Sequence, residues 1–503
     1  MANVPISDSN SKSMTESTHK CPNCSTVFIG LDSKVPPPNP SPVPREILDT
    51  NYPPSEFQLS SIRDFISRGR AYIQILDDKA ALLRPLILQA LTREIWKHEG
   101  SMSLLRGMPT EILSTIFAFT STTEQAPWTV SAVCVRWRAI ATSQPNFWTS
   151  IRLPSPPGSF MNTLRLERQL QRSGELPLDI EFSMEDGSLK NLALFPLLCA
   201  QARRWGRFSI DGPDLLYSQL VNLVKDRLVL LQELEFEVEC PEGEIPALNI
   251  FHDAPLMQKA VVNKVLWNHP LAMRLPWSQI SCFRGSSSWV DHLGALGAAA
   301  NLVECSLEIQ GPGEPPRTPI LLPNLRCLSL SHAAFLECLD TPALLELYCD
   351  YAPPLLPFLR RNIFELQTLV IWECFTPAAE SDLTRILDAV PTLRNLGLDL
   401  PLTAEFVSQF CSSNTIPVLE CILAANEAID IAINNRFAEG VESRWKSGRL
   451  KSVKLFHWDP PAADLLCRME LLQAQGMDFL VFRDRNGFLE DLVPYPLRIF
   501  SPE

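Results

Sequence analysis

The sequence predicts an α/β protein, with a helical N-terminal region followed by a long array of parallel strands alternating with helices or irregular segments. Two observations carry this. A unit apolar-x-x-apolar-x-apolar recurs from about residue 189, with starts mostly 19–27 residues apart, as in chains of stacked strand-plus-helix repeats. Upstream, apolar residues recur at three- and four-residue spacing, the period of a helix face.

Composition narrows the function classes. The 503 residues hold 46% hydrophobic side chains, enough for a large core. A net charge of −13 argues against nucleic-acid or anionic-membrane binding, which needs basic patches. No run of eighteen apolar residues occurs, so no membrane-spanning helix is expected. The first residues are polar, so no secretory signal is expected. The 14 cysteines are scattered and read as reduced thiols of a cytoplasmic or nuclear protein.

Residues 1–55 read as a disordered, Pro/Ser-rich tail. Cys21-Pro22-Asn23-Cys24 lies within it, with His19 nearby. Zinc would require a second ligand pair, and none follows, so no metal is assigned. Residues 56–100 read as one long helix. Its seam is Ile62, Ile66, Gly69, Ile73, Leu76, Ala80, Leu83, Ile87 and Ala90, with Pro85 marking a kink or break. Such a seam suits a dimerising coiled coil or a helix packed on its own chain. Pro85 and Gly69 favour the second, and a monomer is expected.

Residues 101–150 read as a helical hairpin. Met108-Pro109-Thr110-Glu111 is a helix start, with proline at the first position and an acid in the first turn. Ile112, Leu113, Ile116 and Phe117 continue one face. Thr120–Pro127 breaks the helix. A second run, Val130, Val133, Cys134, Trp137, Ile140 and Ala141, ends before Pro145.

Residues 151–188 read as a linker helix, followed by Gly174, and an alternating strand at Leu176–Phe182. The repeats occupy 189–503. Their copies begin at Trp205, Leu231, Met257, Leu302, Leu325, Leu344, Leu366, Leu393, Leu419 and Leu450, with a weaker Ile280/Phe283. Met477–Phe482 reads as a last strand, and residues from Arg483 onward as an irregular cap.

The 101–150 stretch resembles an F-box. Met108-Pro109-Thr110-Glu111-Ile112-Leu113-Ser114-Thr115-Ile116-Phe117 matches its first half, with Met108 in place of leucine. Val133-Cys134-Val135-Arg136-Trp137-Arg138 matches its second half. The resemblance implies docking onto the Skp adaptor of a cullin–RING (SCF) ubiquitin ligase, with Leu105, Met108, Pro109, Ile112, Leu113, Ile116 and Trp137 at the contact. A long helix directly before an F-box is similar to a mushroom-type group of F-box proteins. The repeats resemble a leucine-rich-repeat solenoid in degenerate form. The usual Asn or Cys three positions past the last leucine is absent almost everywhere, Cys374 being the exception. Something else must therefore hold the turns.

No catalytic constellation is found. GxxxxGK[ST] and GxGxxG are absent. Gly285-Ser286-Ser287-Ser288 lacks the closing glycine of a nucleophile elbow. His98-Glu99 lacks a second histidine, and the seven histidines never pair at i, i+4. No catalytic residue and no cofactor is assigned. The expected function is a non-catalytic substrate receptor of an SCF ligase. The alternative is a scaffold that binds partners without ubiquitination.

Strand alternation places Glu233, Glu235 and Glu237, then Glu304, Ser306 and Glu308, on the face away from the core. Glu346, Tyr348 and Asp350 follow, then Thr368, Val370 and Trp372. This predicts a face acidic in its first half, for a protein target bearing basic residues, with Tyr348 and Trp372 as anchors.

Overall fold

Each repeat's apolar triplet builds one short strand, and each strand completes its hydrogen bonds only through its neighbours. The computed structural model describes residues 17–20, 27–30, 41–50, 52–79, 85–120, 125–153, 162–184, 192–213, 215–238, 249–263, 274–362, 365–372, 377–399, 403–412, 415–425, 431–456 and 463–482. Cys21 and Cys24, Cys374 and the residues from Arg483 onward lie outside these. The chain forms two compact units, 1–148 and 149–503.

In the first unit, the expected tail contains ordered elements. β1 (Ser17–Lys20) and β2 (Val27–Gly30) pair antiparallel. Helix α1 (Arg45–Asp49) follows, with Val43 buried against Ile62, Ile66 and Ile95. The single long helix resolves into α2 (Glu56–Lys79) and α3 (Pro85–Ser101). Pro85 opens α3, where its missing N–H costs nothing. The two helices pack as an antiparallel pair. Phe65 stacks on His98 at 4.2 Å, and Arg70 pairs with Glu99. Gly69, the exception in the seam, is where Ile95 comes closest: a Cβ there would lie 3.3 Å from its side chain. The first part of the seam, Ile62, Ile66, Gly69 and Ile73, is thus met within the chain. His98 is fully buried, with Nδ1–H donating to the Glu94 carbonyl and Nε2 facing Ser41 Oγ, each at 2.7 Å. Four short helices follow: α4 (Leu104–Gly107), α5 (Thr110–Thr120), α6 (Ala126–Val133) and α7 (Val135–Thr142).

The second unit is a parallel α/β array. Its sheet has fourteen strands in strict chain order. These are β3 (Ser150–Leu153), β4 (Leu178–Ser183), β5 (Trp205–Gly212), β6 (Glu233–Val238), β7 (Lys259–Val262), β8 (Cys282–Ser288) and β9 (Glu304–Gln310). After β10 (Ile320–Leu321) come β11 (Cys327–Leu330), β12 (Leu339–Asp340), β13 (Glu346–Asp350) and β14 (Thr368–Trp372). Then follow β15 (Asn395–Leu398), β16 (Cys421–Ala425), β17 (Ser452–Phe456) and β18 (Asp478–Phe482). Among the described residues, β10 and β12 pair with each other in a separate two-stranded sheet. Every triplet forms its strand, and all the triplet residues are buried in one continuous core with the helices. Residues 151–188 are part of this array and not a linker, because β3 and β4 pair in the same sheet; α8 (Thr163–Arg172) lies between them.

Two devices hold the turns that lack the asparagine ladder. The residue ahead of each strand from β7 to β17 (excluding β10 and β12) donates its N–H to the equivalent carbonyl one repeat earlier, at 2.7–2.9 Å, and at β18 the strand's first residue, Asp478, does so to Lys451 at 3.0 Å. Arginines then cap the preceding repeat's helix end. Arg204 Nε donates to the Leu176 carbonyl at 3.0 Å and Nη2 to Ser173 Oγ at 2.6 Å. Arg361 reaches the carbonyls of Leu336 and Leu339. Arg444, buried at 6% exposure, donates to the carbonyls of Phe410, Ser412, Thr415 and Ile416 at 2.7–3.0 Å. Helix carbonyls at a C-terminus need such partners.

Arg444→Met should therefore leave several buried carbonyls without donors. At about 1–3 kcal/mol for each unsatisfied group, the loss should reach about 3 kcal/mol in a chemical denaturation series. Arg394→Met, at an exposed ion pair with Glu420, should cost far less. Burial holds the His98 pKa below its usual value, against a raising contribution from Glu94. The folded state therefore favours the neutral ring. That stability is present above about pH 6.5 and lost as pH falls from there towards the lower folded value. Thermal unfolding at pH 7.5 and 5.5 should show the loss, and His98→Gln should flatten it.

Candidate functional site

Two surfaces stand out, one in each unit. The first is built on the short helices α4–α7. Leu113, Phe117, Val130, Ile140, Phe147 and Trp148 form their core, closed by Trp148 Nε1–H on the Ala141 carbonyl at 2.8 Å. The second half of the motif has local reasons for its spacing. Cys134 is the N-cap of α7, its Sγ accepting the Trp137 N–H at 3.3 Å. Arg136 donates to the carbonyls of Arg106 and Met108, which fixes the entry into α5. Arg138 Nε donates to the Ser131 carbonyl at 2.8 Å.

With that core satisfied, many apolar side chains remain outside. Ile112 is 50% exposed, Ile116 40%, Phe119 80% and Val135 77%; Leu104, Leu105 and Val133 are exposed as well. So many exposed large apolar groups on one small unit mark an interaction surface. Pro109 is also exposed. Leu113 departs from expectation: it is 1% exposed, one turn before Phe117 on the inward face, so it cannot serve a partner. Met108 and Trp137 pack partly on the same core, Trp137 with its ring 5.0 Å from Phe117. Phe119, Val133 and Val135 were missed because periodicity alone cannot tell which apolar stripe faces inward.

The second surface is the sheet face opposite the helices. In its first half, acids are interleaved with bases from adjacent strands. Arg207 lies within 4.0 Å of Asp179, Glu233 and Glu235. Lys259 lies 3.8 Å from Glu233, and Arg152 lies 3.2 Å from Glu181. Glu233 and Glu235 thus face bases across strands, so the acidic first half expected of this face is interrupted by cations. Glu237, Glu304 and Glu308 also point to this side.

In its second half, the outward residues Cys327, Tyr348, Val370, Leu423 and Phe456 pack together as a buried cluster, with Trp372, Cys421 and Phe482 at its margin. Tyr348 is only 3% exposed, and its hydroxyl donates to Glu346 at 3.0 Å. It is part of the packing and not a free anchor, and Val370 and Thr368 are buried likewise. Trp372 keeps partial exposure. Side chains on a face assumed open were counted as solvated, whereas neighbouring strands bury them against one another.

No family model matches this chain, and no curated protein matches it in sequence. Among the described residues, no helix is long and apolar enough to cross a membrane.

Tyr348→Ala should destabilise the array by about 3 kcal/mol, as other large-to-small changes in packed clusters do, whereas Tyr348→Phe should cost much less. Denaturation midpoints of the two variants test this.

Proposed function

We propose that this chain is the substrate-recognition subunit of an SCF-type ubiquitin ligase acting in the cytoplasm or nucleus. In this reading, α4–α7 are an F-box that docks the Skp adaptor, and so the cullin scaffold. The strand array, read as degenerate leucine-rich repeats, holds the target protein. The observation that carries the proposal is the exposed apolar set Leu105, Ile112 and Ile116 on a core that closes without them. Ile112 and Ile116 lie in the first of the two motif halves that resemble an F-box, and Leu105 lies just ahead of it. Pro109, exposed at the start of α5, borders the same face.

The chemistry would belong to the partners. The chain's contribution is proximity: a target held beside a charged ubiquitin-conjugating enzyme reacts at a raised effective concentration. This role requires a rigid adaptor contact and a separate target surface. The two compact units provide separate bodies for them.

The test is adaptor co-purification. Ile112→Asp with Ile116→Asp places charges in the proposed contact while sparing the core, so folding should survive and adaptor recovery should fall at least tenfold. Equal recovery with wild type and variant, or none with wild type, would remove the ligase reading and leave the scaffold.

A further inference from the structure

The charge ladder on the sheet face stops where a cation is missing. One cross-strand row, followed through the register, reads Asp179, Arg207, Glu233, Lys259, Cys282, Glu304, Cys327 and Glu346. In its first half Arg207 sits between Asp179 and Glu233, and Lys259 follows Glu233. From β8 to β13 the row holds no base: Cys282 and Cys327 flank Glu304, and Glu346 follows. We propose that the gap at Cys327, between Glu304 and Glu346, receives a lysine or arginine side chain from an extended segment of the target protein. This rests on the strand face being the target surface.

Three observations support it. First, Glu304 and Glu346 lie two strands apart, roughly 10 Å between backbones. That is the arrangement in which Asp179 and Glu233 flank Arg207. Among the described residues, no Lys or Arg pairs with either acid. Their side-chain partners there are weak or neutral donors: Cys282 Sγ at 3.7 Å from Glu304, Cys327 Sγ at 3.6 Å from Glu346, and the Tyr348 hydroxyl.

Second, Ser329, two residues along from Cys327 on the same face, is 1% exposed and its Oγ has no hydrogen-bond partner. A buried hydroxyl left without a partner is costly, and an incoming N–H donor would satisfy it. Third, the local field is negative. Burial, then Glu304, pushes the Cys282 thiol up to about 11. Burial, then Glu346 and Glu304, raises Cys327, and burial with Glu346 raises Tyr348. A cation placed there would offset the contributions of Glu304 and Glu346, but not that of burial. The neighbouring row of side chains, Ser306, Ser329, Tyr348 and Val370, turns from small to apolar. This suits an extended protein segment better than a free polyamine.

The experiment uses the full chain and two fluorescein-labelled nonapeptides, one alternating lysine with threonine and the other glutamate with threonine. Fluorescence anisotropy at low salt should show binding of the lysine peptide alone. Glu304→Gln with Glu346→Gln should weaken it at least tenfold, and Glu233→Gln with Glu235→Gln less than twofold. Cys327→Lys, which supplies the missing cation from within, should abolish it. Glu304→Gln should also speed alkylation of Cys282 by lowering its pKa, which checks that the carboxylate acts in a folded array. Equal binding of both peptides, no binding of either, insensitivity to the Glu304/Glu346 pair, or tighter binding of spermine than of the lysine peptide would overturn the proposal. Adaptor co-purification from the same preparation is scored separately. The ligase reading can thus fail while the cationic site stands, or the reverse.

Discussion

The backbone ladder through the fourteen-strand sheet is the constraint on which the second unit depends. A strand of four to eight residues can neither bury its apolar side nor satisfy its peptide groups alone. Here every strand from β4 to β17 in the sheet is flanked on both sides by its neighbours in chain order. Stability is therefore cooperative between adjacent repeats, and the alternation inward and outward is locked through the whole array. A slip of one residue at any strand would turn its leucines to the outer face.

That constraint explains how the array survives with an irregular sequence. A side-chain ladder of asparagines is one way to satisfy the carbonyls at each turn. This chain uses long cations instead. A guanidinium has five donors in a planar fork, so one Arg444 serves four carbonyls. Its carbon stem and plane also pack over Phe410, with Cζ 4.8 Å from the ring centroid. Gly440 lets the same helix approach closely, since a Cβ there would meet the Phe410 ring at 2.9 Å. Because each arginine sits at its own offset, the turns have no common motif.

This difference decides what could be read from the sequence. The strands were legible because a buried triplet such as Leu366, Leu369 and Ile371 is dictated by period and by burial together. The array's start was missed because Ile151 and Leu153 form a strand, β3, that has no full triplet of its own. In the first unit, the helix and its seam were legible, but not its fold-back, which depends on Gly69 meeting Ile95 across 26 positions. The candidate surfaces were harder still. Leu113 and Ile112 are adjacent and equally apolar, and only the packing of Phe117 and Trp148 decides which one faces out. Glu233 looks like part of an acidic patch until Lys259, from a different repeat, is placed beside it.

The sheet's outer face thus has two physical regimes. Where acids and bases alternate, the face is satisfied by itself and gives a partner little to gain, since exposed pairs are already near balance. Where Tyr348, Val370 and Phe456 pack, the apolar surface is already buried, and a partner gains little there as well. The unsatisfied part is the strip between, where Glu304 and Glu346 flank a thiol and Ser329 has an unused hydroxyl. Binding energy comes from interactions a surface cannot complete alone, so specificity on this face should be concentrated in that strip and not spread along the acidic half. A partner that supplies one cation at the right register gains the pairing that Arg207 and Lys259 already provide elsewhere. A partner displaced by two repeats towards β7 would bring its cation to Cys282, beside Lys259, so the same strip would also bias the register in which a target segment lies.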